Sequence, residues 1–323
     1  VIDYHLHLWP HGQVHDDRIV DQVAGYCARA TAAGVTELAL TEHLFRFRQA
    51  DGLLGGWWSE EPDEDRRRSM AGYWADHARA DLDHYVEAVL DCQAAGLPVV
   101  LGLEVDYYPG RMDQVAALLS GYPFDVLLGS VHWLGTWRFD DLDDAGAMSE
   151  WGRREVSDVW DGYTRAVEEL AATATCDVLA HLDLVKVAGY RPLVPDEWWD
   201  RLADAAAGSA MAVEVSSAGW RKPAAEAYPA PALLARLIDR GVALTTASDA
   251  HGAPDVASRF AELSSWLASA GVRHLRGYRR RQPRTIPLQT GSEDVAVPVT
   301  EPGRGAPRPT PDGSVARRPM AAS

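Results

Sequence analysis

Eleven histidines lie along the 323 residues, and seven of them, His5, His7, His11, His43, His132, His181 and His251, fall at or just beyond the ends of short β-rich runs. Two carboxylates, Glu104 in GLEVDY and Asp249 in SDAH, occupy the same kind of position. His5 and His7 are two residues apart on one run, so the alternation of a strand points both to one face. Imidazole nitrogens mixed with carboxylate oxygens suit zinc, iron or manganese, whereas an all-oxygen ion such as calcium would not call for so many histidines. Seven histidines and two carboxylates are too many for one ion. With one carboxylate bridging, they suit two or three divalent ions. Each element alone has a plainer reading: a His-x-His pair can be a hydrogen-bonded core feature, and SDAH can be a helix N-cap. Recurrence after separate strands, always at the same end, carries the metal reading.

Those residues need a scaffold that brings positions 5 to 251 together. Apolar β-rich runs are expected over 2–7, 35–41, 98–105, 125–132, 177–183, 211–216 and 242–248. Helical periodicity falls between and after them, over 17–33, 76–95, 111–119, 149–174, 195–207, 231–240 and 254–270. Glycines at 34, 96, 121, 241 and 271 stand where helix C-caps want a left-handed residue. Seven β/α units predict an α/β fold, a distorted (β/α)7 TIM-like barrel, whose strand ends form one rim. The barrel is expected over 1–288. Residues 46–73, rich in Gly, Trp and charge, read as an insertion, either a lid or a packed excursion. Residues 289–323, dense in Pro, Gly, Ser, Thr and Arg, read as a disordered tail.

Bulk composition limits the partners. A formal net charge of −16 argues against nucleic acid or an acidic membrane surface. It does not exclude a small phosphorylated substrate, because buried divalent ions reverse the local sign. No run of apolar residues is long enough to span a membrane, and the first residues lack a basic start and apolar stretch, so a cytoplasmic location is expected. Cys27, Cys92 and Cys176 are far apart among apolar neighbours and read as buried thiols. The oligomeric state is left open.

Taken in order, DYHLH with PHG, LTEH, GLEVDYYPG, LGSVHWL, LAHLDLVK, VEVSSAGWRKP followed by AYP, and TTASDAH resemble the PHP (polymerase and histidinol phosphatase) phosphoesterases, and within them the histidinol-phosphate phosphatases. The resemblance covers about 2–288. It implies one metal held by His5, His7, Glu104 and Asp249, a second held by Glu104 as a bridge with His132 and His181, and a third held by His11, His43 and His251. Asp3, Glu42 and Asp183 would orient the imidazoles from behind. His15 is the alternative to His11, because the spacing after His7 departs from the family pattern.

The implied reaction is phosphomonoester hydrolysis, with L-histidinol phosphate as the first substrate and another phosphorylated metabolite as the alternative. A noncatalytic PHP module is a third reading, disfavoured by the full set of ligands. The attacking group expected of such a cluster is a metal-bridging hydroxide, placed in line with phosphorus. Glu104, Asp249 and His251 would carry the catalytic work, with the proton for the leaving alkoxide coming from Asp249 or a neighbouring histidine. Arg221, in AGWRKP, is expected to clamp the phosphate because its fork takes two oxygens. Lys186 is a further candidate, or else a solvated surface charge. Trp133, like Trp137 and Trp220, adjoins motif residues and is a candidate pocket wall, while His77, His84 and His274 read as packing or helix-surface residues.

Overall fold

Strands buried on both faces should read as continuous apolar runs, and this chain has seven of them in parallel. The computed structural model describes residues 1–10 and 19–289. His11, His15 and, from residue 290 on, the expected tail lie outside the described residues. The strands are β1 (Ile2–Leu6), β2 (Glu37–Leu40), β3 (Val99–Asp106), β4 (Val126–Ser130), β5 (Val178–Leu179), β6 (Ala212–Ser216) and β7 (Leu244–Ala247). They form one sheet in chain order. Leu6 bridges to Ala250 in parallel and the His7 amide donates to the Ala250 carbonyl at 2.8 Å, so the last strand comes back beside the first. The result is a nearly closed, distorted (β/α)7 barrel, as the sequence predicts. Gly102 is needed inside it: a Cβ there would lie 2.8 Å from Thr41 Cγ2 and 2.9 Å from Val126 Cγ1.

The helices are α1 (Ile19–Ala32), α2 (Arg48–Leu54), α3 (Glu64–His77), α4 (Leu82–Ala94), α5 (Met112–Leu119), α6 (Ala145–Trp151), α7 (Val156–Ala172), α8 (Asp196–Gly208), α9 (Pro231–Asp239) and α10 (Phe260–Ser269). The segment read as an insertion loop is mostly helical, formed by α2, a 3-10 turn at Trp57–Glu60 and α3. Asp63 starts α3 by accepting from the amides of Asp65 and Arg66, both at 3.0 Å. Of its fourteen residues only Met70, Trp74 and His77 are buried, which is too few for a clear apolar stripe in the sequence. Two helix readings also split. Asp81 caps α4 afresh after α3 ends, and Gly152 stops α6 before α7 begins. Cys27, Cys92 and Cys176 are buried and unbonded to one another. No described helix is long and apolar enough to cross a membrane.

A hairpin that the sequence reading leaves unassigned, His274–Arg279 with Gln282–Pro287, seals the barrel end opposite the histidines. Its anchors are two aspartates at the starts of strands, Asp125 buried and Asp177 partly so. Asp177 accepts from the Leu127 amide and takes Arg281 in a two-point grip at 2.9 and 3.1 Å. Asp125 accepts from the backbone amides of Leu101 at 3.0 Å and Arg280 at 2.9 Å. Removing that carboxylate strands the buried Leu101 amide and the partly buried one of Arg280. Asp125→Ala is therefore expected to lower unfolding stability by about 3 kcal/mol, read as a shifted denaturation midpoint at unchanged slope. A midpoint within error of the wild type would show that the hairpin is held by other means.

Candidate metal centre

Six strands deliver the chemistry to one rim. His5 lies on β1 and His7 just beyond it, His43 follows β2, and Glu104 sits within β3. His132 follows β4, His181 follows β5, and Asp249 with His251 follow β7. All but Asp249 and His251 are buried, and those two are partly buried. His181 and Asp249 leave their strands with φ of 24° and 49°, in the left-handed region that side chains disfavour. Such backbone costs on the order of 1–3 kcal/mol per residue and persists where its surroundings fix it.

Glu104 stands at the centre, and its two oxygens face different partners. Oε2 lies 3.1 Å from His5 Nε2, 3.5 Å from His7 Nε2 and 2.8 Å from His43 Nδ1. Oε1 lies 3.1 Å from His181 Nε2 and 3.3 Å from His132 Nε2. Asp249 Oδ1 adds to the first group, 3.5 Å from His7 Nε2 and 3.9 Å from His5 Nε2. Donor atoms close together also form the sets His5–Glu104–His181, His5–His7–Asp249, His7–His43–His251 and His43–Asp106–His132.

These spacings fit metal ions. Two ligand atoms each about 2.1 Å from a tetrahedral ion lie roughly 3.4 Å apart. His5 Nε2, His7 Nε2 and Glu104 Oε2 are buried and make no hydrogen bond, although they lie close together. Lone pairs converge there where a donor would otherwise meet an acceptor. Electrostatics point the same way. Burial works against the charge of Glu104 and Asp249, yet the neighbouring imidazoles hold both carboxyls well below the usual range. Burial also disfavours a charged His5, but Glu104, Glu214 and Asp249 lift its pKa well above the ordinary value. Without ions the cluster can find its positive charge only in protonated imidazoles. Divalent cations meet the same need through imidazole lone pairs.

The rim opens into a cavity of about 790 Å³ whose walls include His43, His132, His181, Asp249 and His251. The PHP domain matches residues 5–218. The chain belongs to the PHP family. It is 33% identical over 260 residues to a Deinococcus radiodurans protein described as a probable histidinol-phosphatase, covering 80% of this chain and 91% of the relative. Its fold resembles that of histidinol phosphate phosphatase from Lactococcus lactis, solved with zinc, L-histidinol and phosphate, at a TM-score of 0.63 and 18% identity, covering 88% of this chain and 98% of that one.

Not every residue singled out in this PHP chain reaches the cavity. Trp133 does, while Trp137 and Trp220 do not. Arg221 is not part of the wall. Its guanidinium turns onto the carbonyls of Ser248 at 2.8 Å and Asp249 at 3.3 Å, with Nε 3.4 Å from Asp255 Oδ1, because a 3-10 turn at Ala218–Arg221 carries it toward the loop after β7. The neighbouring Lys222 lines the cavity instead. Lys186 is neither a wall residue nor a solvated one. It is buried and held by Asp183 and the Ala227 carbonyl, both at 2.7 Å. His77, read as packing, lines the cavity from α3.

The residues behind the imidazoles also differ from expectation. Asp3 accepts from the amides of Ser248 and Ala257, and Asp183 from that of Ala230, so both hold backbone. Glu42 lies 3.7 Å from His7 Nδ1 and accepts from the amides of Leu8 and Trp9. The closer supports are Glu214, 2.7 Å from His5 Nδ1, and Asp106, 2.6 Å from His132 Nδ1. Burial raises Asp106 to about 6 against the pull of His132, while Glu104 and Asp106 outweigh burial and lift His132 to about 10. The sequence held a signal for both: each lies on a strand face that points to the rim, Asp106 two residues after Glu104.

A carboxylate behind a ligating imidazole fixes its tautomer and raises its basicity, and losing it costs roughly 10- to 100-fold in metal affinity or activity. Glu214→Gln is expected to weaken metal binding within that range in competition with a chromophoric chelator, with the circular dichroism unchanged. Wild-type affinity in the variant would show that Glu214 does not tune His5.

Proposed function

We propose that this PHP-family chain is a metal-dependent phosphomonoesterase whose substrate is L-histidinol phosphate, cleaved to histidinol and inorganic phosphate. The single observation that carries the reading is Glu104 dividing its oxygens between two groups of histidines, of which His43, His132 and His181 line a substrate-sized cavity. The 33% identity to a protein described as a probable histidinol-phosphatase supports the substrate. The fold likeness to a phosphatase solved with zinc, L-histidinol and phosphate supports the reaction and the metal.

His5, His7, Glu104 and Asp249 would hold one ion, Glu104, His132 and His181 a second, and His43 with His251 a third, to which His11 is assigned by the family resemblance. Zinc, manganese or iron would serve. When bound, the ions supply Lewis acidity, neutralising phosphoryl oxygens and acidifying a water for in-line attack. No protein nucleophile is then required. The neighbouring imidazoles hold the Asp249 carboxyl well below its usual range, which suits a ligand. Arg221 holds the carbonyl of that same residue, so its part is to keep Asp249 in its left-handed conformation. Lys222, on the wall and, among the described residues, without an ion pair, is a cation placed to meet phosphate oxygens.

Phosphate release from L-histidinol phosphate by metal-analysed protein tests the reading, set against a panel of nucleotide and sugar phosphates. Glu104→Gln is expected to lower kcat by orders of magnitude with the fold intact, since the bridge loses charge but little volume. Wild-type turnover with full metal content in that variant would overturn the bridging role. Lys222→Ala is expected to lower kcat/KM roughly tenfold or more, the worth of one charge-assisted contact. An unchanged kcat/KM would remove Lys222 from the phosphate site.

A further inference from the structure

Past the metal cluster, one wall of the cavity is formed by the segment FDDLDD, residues 139–144. Its aspartates are not equivalent. Arg138 is buried and takes Asp141 through Nε at 3.2 Å and Asp144 through Nη2 at 2.8 Å. Asp144 also caps α6 by accepting from the Ala147 amide at 2.8 Å. Asp143 is exposed to water. Elsewhere on the wall, Asp76 pairs with Arg79 at 2.8 Å and Asp249 belongs to the metal cluster. Asp140 is what remains: a half-buried wall carboxylate that, among the described residues, makes no ion pair and no side-chain hydrogen bond to another residue, its own amide and the field of His132 and His181 being all it is given.

A half-buried carboxylate that makes no ion pair gives up hydration for little return, unless a ligand supplies the cation. Burial accordingly lifts Asp140 above its ordinary range, against the pull of His132. The carboxylate is held in place from behind. The Phe139 carbonyl accepts from Trp151 Nε1 at 2.9 Å, and the Arg138 guanidinium lies 4.3 Å above the Tyr73 ring, which also lines the cavity. The wall cations are disposed in the opposite sense. Arg68 and Arg79 are spent on Glu64 and Asp76 and Arg138 on its aspartates, which leaves Lys222 as the described wall cation without an ion pair. A cavity offering one unspent cation, a metal centre and one sheltered unspent anion suits a substrate with an anionic and a cationic end.

We propose that Asp140 is a specificity residue, the carboxylate that receives a substrate ammonium group carried one carbon beyond the ester-bearing carbon of the phosphate monoester. The inference rests on the phosphomonoesterase reading above and deepens it: the substrate class becomes amino-alcohol phosphates, told apart from neutral alcohol phosphates by this one contact.

The test uses the full chain with its metal content measured and two substrates, L-histidinol phosphate and its des-amino analogue 3-(imidazol-4-yl)propyl phosphate. The wild type should favour the amino ester in kcat/KM by roughly 10- to 100-fold, the range of a charge-assisted hydrogen bond. In Asp140→Asn that preference should collapse to within a few-fold, mostly through KM, with metal content retained. The neighbouring ammonium makes histidinol the better leaving alcohol, so a proton-transfer role for Asp140 would depress both esters and the des-amino one at least as much, and that result would overturn the proposal. A wild type with no preference for the amino ester would overturn it too. Turnover of neither ester by metal-loaded wild type would instead bring down the phosphomonoesterase reading, and this inference with it.

Discussion

Glu104 is placed where three requirements meet. It lies within β3, at the middle of a parallel sheet, so its backbone is fixed by neighbours on both sides. Its side chain reaches the rim with no exposure to water, and each oxygen faces imidazoles delivered by different strands. A buried carboxylate is tolerable only where positive charge is close at hand. The histidines satisfy it in part, and ions satisfy it fully. Almost every other feature of the rim follows from that arrangement: which strand ends carry histidine, why Glu214 and Asp106 stand behind His5 and His132, and why Asp249 adopts a left-handed backbone to join the group.

Much of this was legible in the sequence because a barrel converts one-dimensional recurrence into proximity. A histidine at the end of a β-rich run is weak information, but the same residue type at the same end of run after run has a geometric meaning. The residues behind the first ring were less legible. Glu214 and Asp106 announce themselves only once the inward face of each strand is known, and an acidic residue on a short apolar run has several plainer uses. Asp3 and Asp183 show this from the other side, since they sit close to ligands in sequence yet hold backbone amides and, for Asp183, the Lys186 ammonium. Arg221 turns away from the cavity for a related reason. A motif says which residue is present, but the 3-10 turn that carries it decides which way the guanidinium goes.

Helix α3 and the terminal hairpin escaped for a different physical reason. Both are held by tertiary contacts more than by their own periodicity. In α3 three buried residues anchor a polar cylinder, and the strand Gln282–Pro287 has no fully buried residue and two prolines, so neither looks like an element in isolation. Each nonetheless does structural work at one end of the barrel. The helix walls the substrate side, and the hairpin closes the opposite side against Asp125 and Asp177. Chemistry and closure are thereby segregated, with the rim free to carry strained and highly charged residues because the other end is held by paired ions and backbone bonds.

That closure has a consequence for how the protein comes into being. The first strand is completed by partners far along the chain: Thr246 Oγ1 donates to the Ile2 carbonyl, and the Tyr278 amide to the Tyr4 hydroxyl. Until those residues leave the ribosome, β1 has an open edge, and the histidines it carries have only part of their partners. Contacts of such long sequence separation make folding slow, and an unpaired parallel edge is prone to association. A nascent chain of this design therefore cannot close its barrel, or complete the metal-binding rim, before the segment 246–278 has been made.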